Sequence, residues 1–109
     1  MSFRSSVAMP DREDRKGTSL LEVEFGQGLV GQAAQSGERI VVENVKNDKR
    51  FRFIPDLPET KSEVVLPLKL EDRVLGVLDV QSDKLQAFHP NDLLILDTLA
   101  ANIARAVEG

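Results

Sequence analysis

The clearest pattern of apolar and polar positions lies in the second half of the chain, where it predicts a β-hairpin. Apolar residues recur at every second position of Glu63–Leu70, and a looser alternation runs through Arg73–Gln81. This is the spacing of strands with one buried face. The two runs are separated by Glu71 and Asp72, which is the length of a tight antiparallel turn. Because Pro67 has no backbone N–H to donate, we expect an edge position or a β-bulge there.

The final segment has helical spacing instead. From Pro90 onward, apolar residues recur at intervals of three and four, and Pro90 and Asp92 suit the first turn of a helix. The main stripe consists of Leu93, Leu96, Ala100, Ile103 and Val107. Since Ile95, Leu99 and Ala104 widen this stripe, two interpretations stay open: one broad face on a single core, or two faces of which one meets a second helix. In a symmetric dimer through this helix, we expect Leu93, Leu96 or Ile103 to be buried.

The first half of the chain predicts shorter elements. Ser2–Met9 alternates weakly and Leu20–Phe25 alternates clearly, which indicates two strands. Leu29–Gln35 has the pattern of a short helix, and Gly37 stands where a left-handed C-terminal cap is expected. Arg39–Val42 is predicted to be the next strand. The mixed segment 46–58 favours a loop or a single helical turn.

A glycine motif at the start of the short helix suggests a nucleotide cofactor. Gly26, Gly28 and Gly31 form G-x-G-x-x-G, the pattern of dinucleotide-binding folds. Those folds need a helix that runs back along a parallel strand. Between Gly28 and Gly37 there is room for only ~13 Å of helix, and the remaining elements do not alternate between strand and helix. We therefore reject an oxidoreductase with a nucleotide cofactor.

Composition narrows the function further. The chain has 109 residues, a net charge of −4 and no cysteine. This length fits one domain, and scattered basic residues in an acidic chain argue against nucleic-acid binding. No apolar stretch reaches the roughly 18 residues of a membrane span and no signal peptide is evident, so we expect a cytoplasmic location and no membrane partner. His89, the single histidine, is expected to have a loop or capping role.

The acidic residues do not form a catalytic pattern in the sequence. Glu63, Asp72 and Asp79 are spread along strands and a turn, without a paired histidine, a cysteine or the spacing of metal ligands. Their expected environment is therefore solvent. On this basis we predict no catalytic site, no metal site and no enzymatic activity.

Four blocks of sequence resemble the GAF domain, a small-molecule-sensing module of many bacterial sensor kinases, cyclic-nucleotide phosphodiesterases and phytochromes. They are GQGLVGQAAQSGERIVVENV (26–45), NDKRF (47–51), SEVVLPLKLEDRVLGVLDVQS (62–82) and AFHPNDLLILDTLAANIARAVE (87–108). The blocks occur in the family's order. The segment Leu57–Glu63 is most similar to GAF domains of multi-sensor histidine kinases.

The resemblance implies an α+β fold with a central antiparallel β-sheet, flanking helices and a long C-terminal helix, as in GAF and PAS domains. The chain is then a single GAF-like domain over 1–109, in which 1–19 is an N-terminal strand and connector and 20–108 is the conserved region. Since family members are usually longer at the N-terminus, we expect a fragment or a shortened domain. The family's helices pack on one face of the sheet, and its ligand pocket lies on the other under the segment 46–62. We expect these residues to line that pocket: Asn44, Phe51, Phe53, Ser62 and Asp79. For the two phenylalanines the alternative is an apolar plug of the loop.

The function implied is a regulatory small-molecule sensor in a bacterial signal-transduction protein. Its C-terminal helix is expected to transmit ligand occupancy to an output domain such as a histidine kinase, and the domain is expected to form a homodimer. The alternative is a dimerisation or scaffold module without a ligand. Of the family's cyclic-nucleotide signature only Phe88 keeps its place, so a cyclic nucleotide is disfavoured. Bilin attachment and methionine-sulfoxide reduction in the family use cysteines, so we expect neither. The ligand and any cofactor stay unknown.

Overall fold

The computed structural model describes residues 3–9, 28–48 and 60–108. Its elements are β1 (Phe3–Ala8), α1 (Gly28–Ser36), β2 (Ile40–Val42), a 3-10 turn (Val45–Asn47), β3 (Ser62–Leu70), β4 (Arg73–Ser82) and α2 (Pro90–Glu108). Each of these strands and helices agrees with a predicted one to within about one residue. The strand predicted at Leu20–Phe25 and most of the segment 46–58 lie outside the described residues.

The strands form one antiparallel sheet in the order β1-β4-β3-β2. The predicted hairpin of β3 and β4 is its centre, and Leu70 pairs with Arg73 across the turn. Glu71 in this turn has a φ of +58°, a left-handed conformation that tight hairpin turns require and that glycine or asparagine usually supplies. With its two helices, the sheet confirms the predicted α+β fold.

Of the two alternatives expected at Pro67, the structure gives the edge-like position, and a β-bulge follows beyond Leu68. Pro67 pairs with Val77 of β4, while β2 pairs only with the part of β3 that ends at Val65, so Pro67 lies beyond the strand on its other side. The register then shifts between Leu68 and Lys69. A β-bulge of this kind adds a residue to one strand and increases its twist.

The two helices cover opposite faces of the sheet, because neighbouring side chains of a strand point to opposite sides. α1 packs on the face that carries Val42, Val65 and Val77, here called the α1 face. α2 packs on the opposite face, against a cluster that includes Val64 and Leu66, here called the α2 face. The expectation that the helices share one face is wrong for this chain, since each face of the sheet has its own helix.

Glycine determines both ends of α1. Gly28 begins the helix with a φ of +64°, and Gly37 follows it with a φ of +71°. The Gly37 N–H donates to the Ala33 carbonyl oxygen at 2.9 Å, the hydrogen bond of a left-handed C-terminal cap. The predicted cap at Gly37 is confirmed, and the φ of Gly28 is likewise one that glycine adopts without strain.

α2 presents one apolar face to the sheet and a second one to solvent. Ala100 and Ala104 are buried in the core on the α2 face. The partly buried residues packed beside them are Leu93, Leu96, Ile103 and Val107. Since Leu93, Leu96 and Ile103 contact their own sheet, the expectation that they form a dimer seam is wrong. The outward apolar residues are instead Leu94, Ile95 and Leu99, with exposed fractions of 68%, 66% and 44%.

The start of α2 is held by a cap. The backbone N–H of His89 donates to Asp92 Oδ2 at 3.0 Å, so the carboxylate reaches back to satisfy a donor at the helix N-terminus. The capping role expected of His89 is therefore that of its backbone. Within the described ranges, no helix has the length and apolar character needed to cross a membrane.

Candidate functional site

Two carboxyl side chains are buried next to each other on neighbouring strands. Glu63 of β3 is 3% exposed and Asp79 of β4 is 2% exposed. Glu63 pairs with Gln81 and Asp79 pairs with Val65, which makes the two acids diagonal neighbours on the α1 face. The expectation that these acids are solvated is wrong for both, because the fold leaves almost none of either residue exposed to water. It is confirmed only for Asp72, which is exposed in the hairpin turn.

Glu63 is protonated at neutral pH. Burial raises the pKa of Glu63 from its ordinary value of 4.5 to about 10, and a hydrogen bond to Asp79 and the negative charges of Asp79 and Asp48 act in the same direction. Since an ionised carboxylate only accepts hydrogen bonds, a bond between two carboxyl groups needs a proton on one of them. Glu63 therefore supplies an O–H donor inside the site.

Two side chains, linked by hydrogen bonds, hold one oxygen of Asp79. Gln81 Nε2 donates to Asp79 Oδ2 at 3.0 Å, and Thr60 Oγ1 donates in turn to Gln81 Oε1. The other oxygen, Asp79 Oδ1, is buried and has no hydrogen-bond partner among the donors that the described residues provide. An unsatisfied buried acceptor costs about 1–3 kcal/mol. Such a group marks the place where an additional donor is expected to bind.

An open depression of about 610 Å³ lies beside this pair at the end of β2. Its lining combines carboxylates, amides and apolar side chains: Val41, Val42, Glu43, Asn44, Asn47, Asp48, Leu85 and Gln86. Two of these residues connect it to the buried acids. Val42 pairs with Glu63 in the strand register, and the charge of Asp48 acts on the Glu63 carboxyl. The depression and the carboxyl pair are therefore neighbouring parts of one acidic region.

The structure separates the residues that we expected to line a pocket. Asp79 belongs to the carboxyl pair, and Asn44 lines the depression while its Oδ1 accepts a hydrogen bond from the Lys46 N–H at 3.1 Å. Ser62 pairs with Ser82 and is fully buried, and its Oγ donates to the Lys84 carbonyl oxygen at 2.5 Å. It lies two residues before Val64 on β3, which places it on the α2 face.

Phe51 and Phe53 lie outside the described residues. Binding by any of the five residues named from the sequence stays a prediction.

Sequence reasoning missed Glu63 as a site residue. The hairpin turn alone does not give the pair, because continuing the register of Leu70 and Arg73 would set Glu63 opposite Val80. The register shift between Leu68 and Lys69 is what sets Glu63 opposite Gln81 and on the same face as Asp79. In the described part of the chain no three histidine, aspartate or glutamate side chains converge on a possible metal position. The pair is therefore suited to proton exchange and to binding hydrogen-bond donors or positive charge.

Comparison with known proteins places this arrangement in a family. The family model described as GAF domain matches residues 4–108. The chain is 34% identical over 85 residues to the free methionine-R-sulfoxide reductase of Saccharomyces cerevisiae. The aligned region covers 77% of this chain and 46% of that relative. It spans about half the length of the curated relatives that it matches, between 41% and 52%.

Solved structures agree with this result. The GAF domain of an Acinetobacter phosphoenolpyruvate-protein phosphotransferase is similar with a TM-score of 0.77 and 26% identity, over 95% of this chain and 70% of that one. The free methionine-R-sulfoxide reductase of Neisseria meningitidis, solved in complex with its substrate, is similar with a TM-score of 0.69 and 35% identity. That similarity covers 79% of this chain and 50% of the reductase chain.

These similarities correct one prediction. We predicted from the scattered carboxylates and the absence of cysteine that the chain is not an enzyme. That prediction is overturned, because enzymes stand both among its relatives and among its structural neighbours. Together with the sequence blocks and the fold, the comparisons establish that this chain belongs to the GAF domain family.

Proposed function

We propose that this GAF domain is a regulatory sensor that binds a small molecule at the Glu63–Asp79 pair. The observation that carries the proposal is the buried Asp79 Oδ1, which has no hydrogen-bond partner in the described ranges although Gln81 holds its neighbour Oδ2. A ligand that donates a hydrogen bond to Oδ1 recovers the free energy of that unsatisfied acceptor. The adjoining depression, about 610 Å³ in volume, lies in the size range of small-molecule sites.

The ligand class that we propose is a free amino acid or a close derivative such as methionine sulfoxide. The relatives and structural neighbours include reductases named for free methionine-R-sulfoxide, and the one from Neisseria meningitidis was solved with its substrate bound. An α-ammonium group has three N–H donors and a positive charge, which complements a region containing Glu43, Asp48 and Asp79.

The proposed route of the signal runs through the sheet to α2. Glu63 and Asp79 lie on the α1 face, whereas the residues that follow them, Val64 and Val80, belong to the core on the α2 face. A shift of β3 or β4 on ligand binding therefore moves side chains that pack against α2. We propose that α2 passes this change to an output domain of a bacterial signalling protein, such as a histidine kinase.

The test is native mass spectrometry of the purified chain, followed by titration with free L-methionine sulfoxide and a panel of amino acids. A small molecule bound at one per chain is the expected result, and Asp79→Asn is expected to weaken its binding at least about tenfold by removing the charge. The matched control is Asp72→Asn, because Asp72 lies on the same hairpin and is exposed. Equal binding by Asp79→Asn and by the unmodified chain would contradict the proposed site.

A second candidate function, assembly through α2, has its own supporting observation. Leu94, Ile95 and Leu99 are exposed on one side of α2 and border a depression of about 620 Å³. Exposed apolar patches on helices favour protein contacts. If α2 forms a homodimer, Ile95→Glu is expected to give monomers in sedimentation experiments. Leu85→Glu is the control, since Leu85 is comparably exposed at 53% but lies outside α2.

A further inference from the structure

We propose that two copies of this chain pack their α2 helices against each other in antiparallel orientation, about a two-fold axis that crosses α2 midway between Asn91 and Asn102. The inference rests on assembly through α2, the second candidate function, and adds to it the orientation and the residues that meet. It does not depend on the Glu63–Asp79 pair.

The outward stripe of α2 has nearly the same order of residue types in both directions. Six side chains line the depression of about 620 Å³ on this side of the helix: Asn91, Leu94, Ile95, Thr98, Leu99 and Asn102. An antiparallel second copy sets Asn91 opposite Asn102 and Leu94 opposite Leu99, and it sets Ile95 opposite Thr98. An interface about a two-fold axis uses the same patch on both copies. A stripe that matches its own reverse provides such a patch.

The side chains matched in this way are chemically compatible. Leu94 and Leu99 are 68% and 44% exposed, and packing them against each other removes apolar area from water. Thr98 Oγ1 donates to the Leu94 carbonyl oxygen at 3.1 Å, so the hydroxyl keeps its hydrogen bond when the helices meet. An asparagine amide both donates and accepts, which lets Asn91 and Asn102 pair at the two ends of the stripe.

Charge favours a second copy of the chain as the occupant of this stripe. None of the six lining residues is charged, although 29% of the residues in the chain are. Two chains that each carry a net charge of −4 therefore meet at this stripe without direct contact between like charges. A charged partner would find no opposite charge among the lining residues.

The charged residues of α2 favour the antiparallel orientation. Asp92 lies in the first turn of the helix and Arg105 in the last. Antiparallel packing brings each of these ends beside the oppositely charged end of the second copy, whereas parallel packing places like charges together. The other two charged residues of α2, Asp97 and Glu108, are paired with arginines of their own chain, so they do not alter this preference.

The length of the stripe makes the two orientations distinguishable by cross-linking. Asn91 and Asn102 are separated by ~17 Å along the helix. In the antiparallel dimer each of them faces the other residue of the second copy, whereas in a parallel dimer each faces itself. Two cysteines form a disulfide only when their Cα atoms lie within about 7 Å. Because the chain has no cysteine of its own, any disulfide comes from the residues introduced.

The experiment uses Asn91→Cys and Asn102→Cys, prepared separately and then mixed, with one of them isotopically labelled. Both positions are exposed. After mild oxidation of the mixture, mass spectrometry is expected to find disulfide-linked dimers that contain one chain of each variant. Each variant oxidised alone is expected to give at least about tenfold less cross-linked dimer. Gln35→Cys is the matched control, since Gln35 is exposed on α1, and it is expected to cross-link with neither variant.

Sedimentation of the unmodified chain separates a failure of the inference from a failure of assembly through α2. A dimer whose disulfides form within each variant, and not between the two, has parallel helices, which overturns the inference and leaves the assembly function standing. A dimer that cross-links in no combination meets through another surface and overturns both. A chain that sediments as a monomer and does not cross-link also overturns both.

Discussion

Arg39, the residue immediately before β2, forms an ion pair with Asp97 of α2, with Arg39 Nη1 2.5 Å from Asp97 Oδ2. The pair joins two elements that are far apart in the sequence. Three residues after Arg39, Val42 pairs with Glu63 of the carboxyl pair. β2 is therefore in contact with the candidate site at one end and with α2 at the other.

Breaking this ion pair is expected to lower stability only slightly. Because the two side chains are 36% and 47% exposed, the free energy of unfolding should fall by no more than about 1 kcal/mol in Arg39→Gln or Asp97→Asn. A double-mutant cycle from urea unfolding measures the coupling between the two residues. The coupling should shrink at high salt, since screening weakens exposed charges. A salt-independent coupling would show that packing, and not charge, joins β2 to α2.

Glu63→Gln is expected to stabilise the domain at neutral pH. Because the pKa of Glu63 is raised from 4.5 to about 10 in the folded state, the folded chain binds more protons than the unfolded chain between these values. Its contribution to stability is complete below pH 4.5 and is lost as pH rises toward 10. Glutamine does not ionise in the unfolded chain, so Glu63→Gln avoids this loss. Its free energy of unfolding at neutral pH should be higher than that of the unmodified chain by at least about 1 kcal/mol.

Urea unfolding at several pH values checks this prediction. The difference between Glu63→Gln and the unmodified chain should grow as pH rises. Glu38→Gln, an exposed control, should follow the unmodified chain throughout. A constant difference over the whole range would mean that Glu63 is not the group that takes up the proton.

Ser62→Ala is expected to destabilise the fold by about 1 kcal/mol. The buried Ser62 Oγ donates to the Lys84 carbonyl oxygen at 2.5 Å, and its removal leaves this acceptor without its donor. The midpoint of thermal unfolding measures the loss. Ser5→Ala serves as the control, since Ser5 is an exposed serine in β1. An equal, small effect of both variants would contradict a structural role for the hydroxyl of Ser62.

Gly37→Ala is expected to cost about 1 kcal/mol. A methyl group at Gly37 would meet Lys69 Nζ and Val74 Cγ2 at 3.7 Å, which is ordinary contact, so the φ of +71° is the source of the cost. Gly37→Asn should cost less than Gly37→Ala, because asparagine tolerates left-handed backbone better. Unfolding in urea ranks the two variants. If alanine is the milder substitution, the conformation of the cap does not limit stability at this position.

Local sequence patterns were sufficient for most elements of the described fold. The period-two run before Glu71 and the period-three-to-four run after Pro90 each predict an element to within a residue. Gly37 predicts the end of α1. These features depend on neighbouring residues, such as caps, turns and one-sided burial, and they are therefore visible in the sequence.

Only the tertiary structure decided what each face contacts. Alternation places Glu63 and Val65 on the same side of β3, but the burial of the Glu63 carboxyl in the folded chain is what raises its pKa. In the same way, the stripe of α2 predicts an amphipathic helix, whereas the angle at which it packs leaves Ile95 in solvent and turns Leu96 to the sheet. Periodicity determines which residues share a face. Whether that face meets water depends on contacts between segments distant in the chain, and no local pattern contains them.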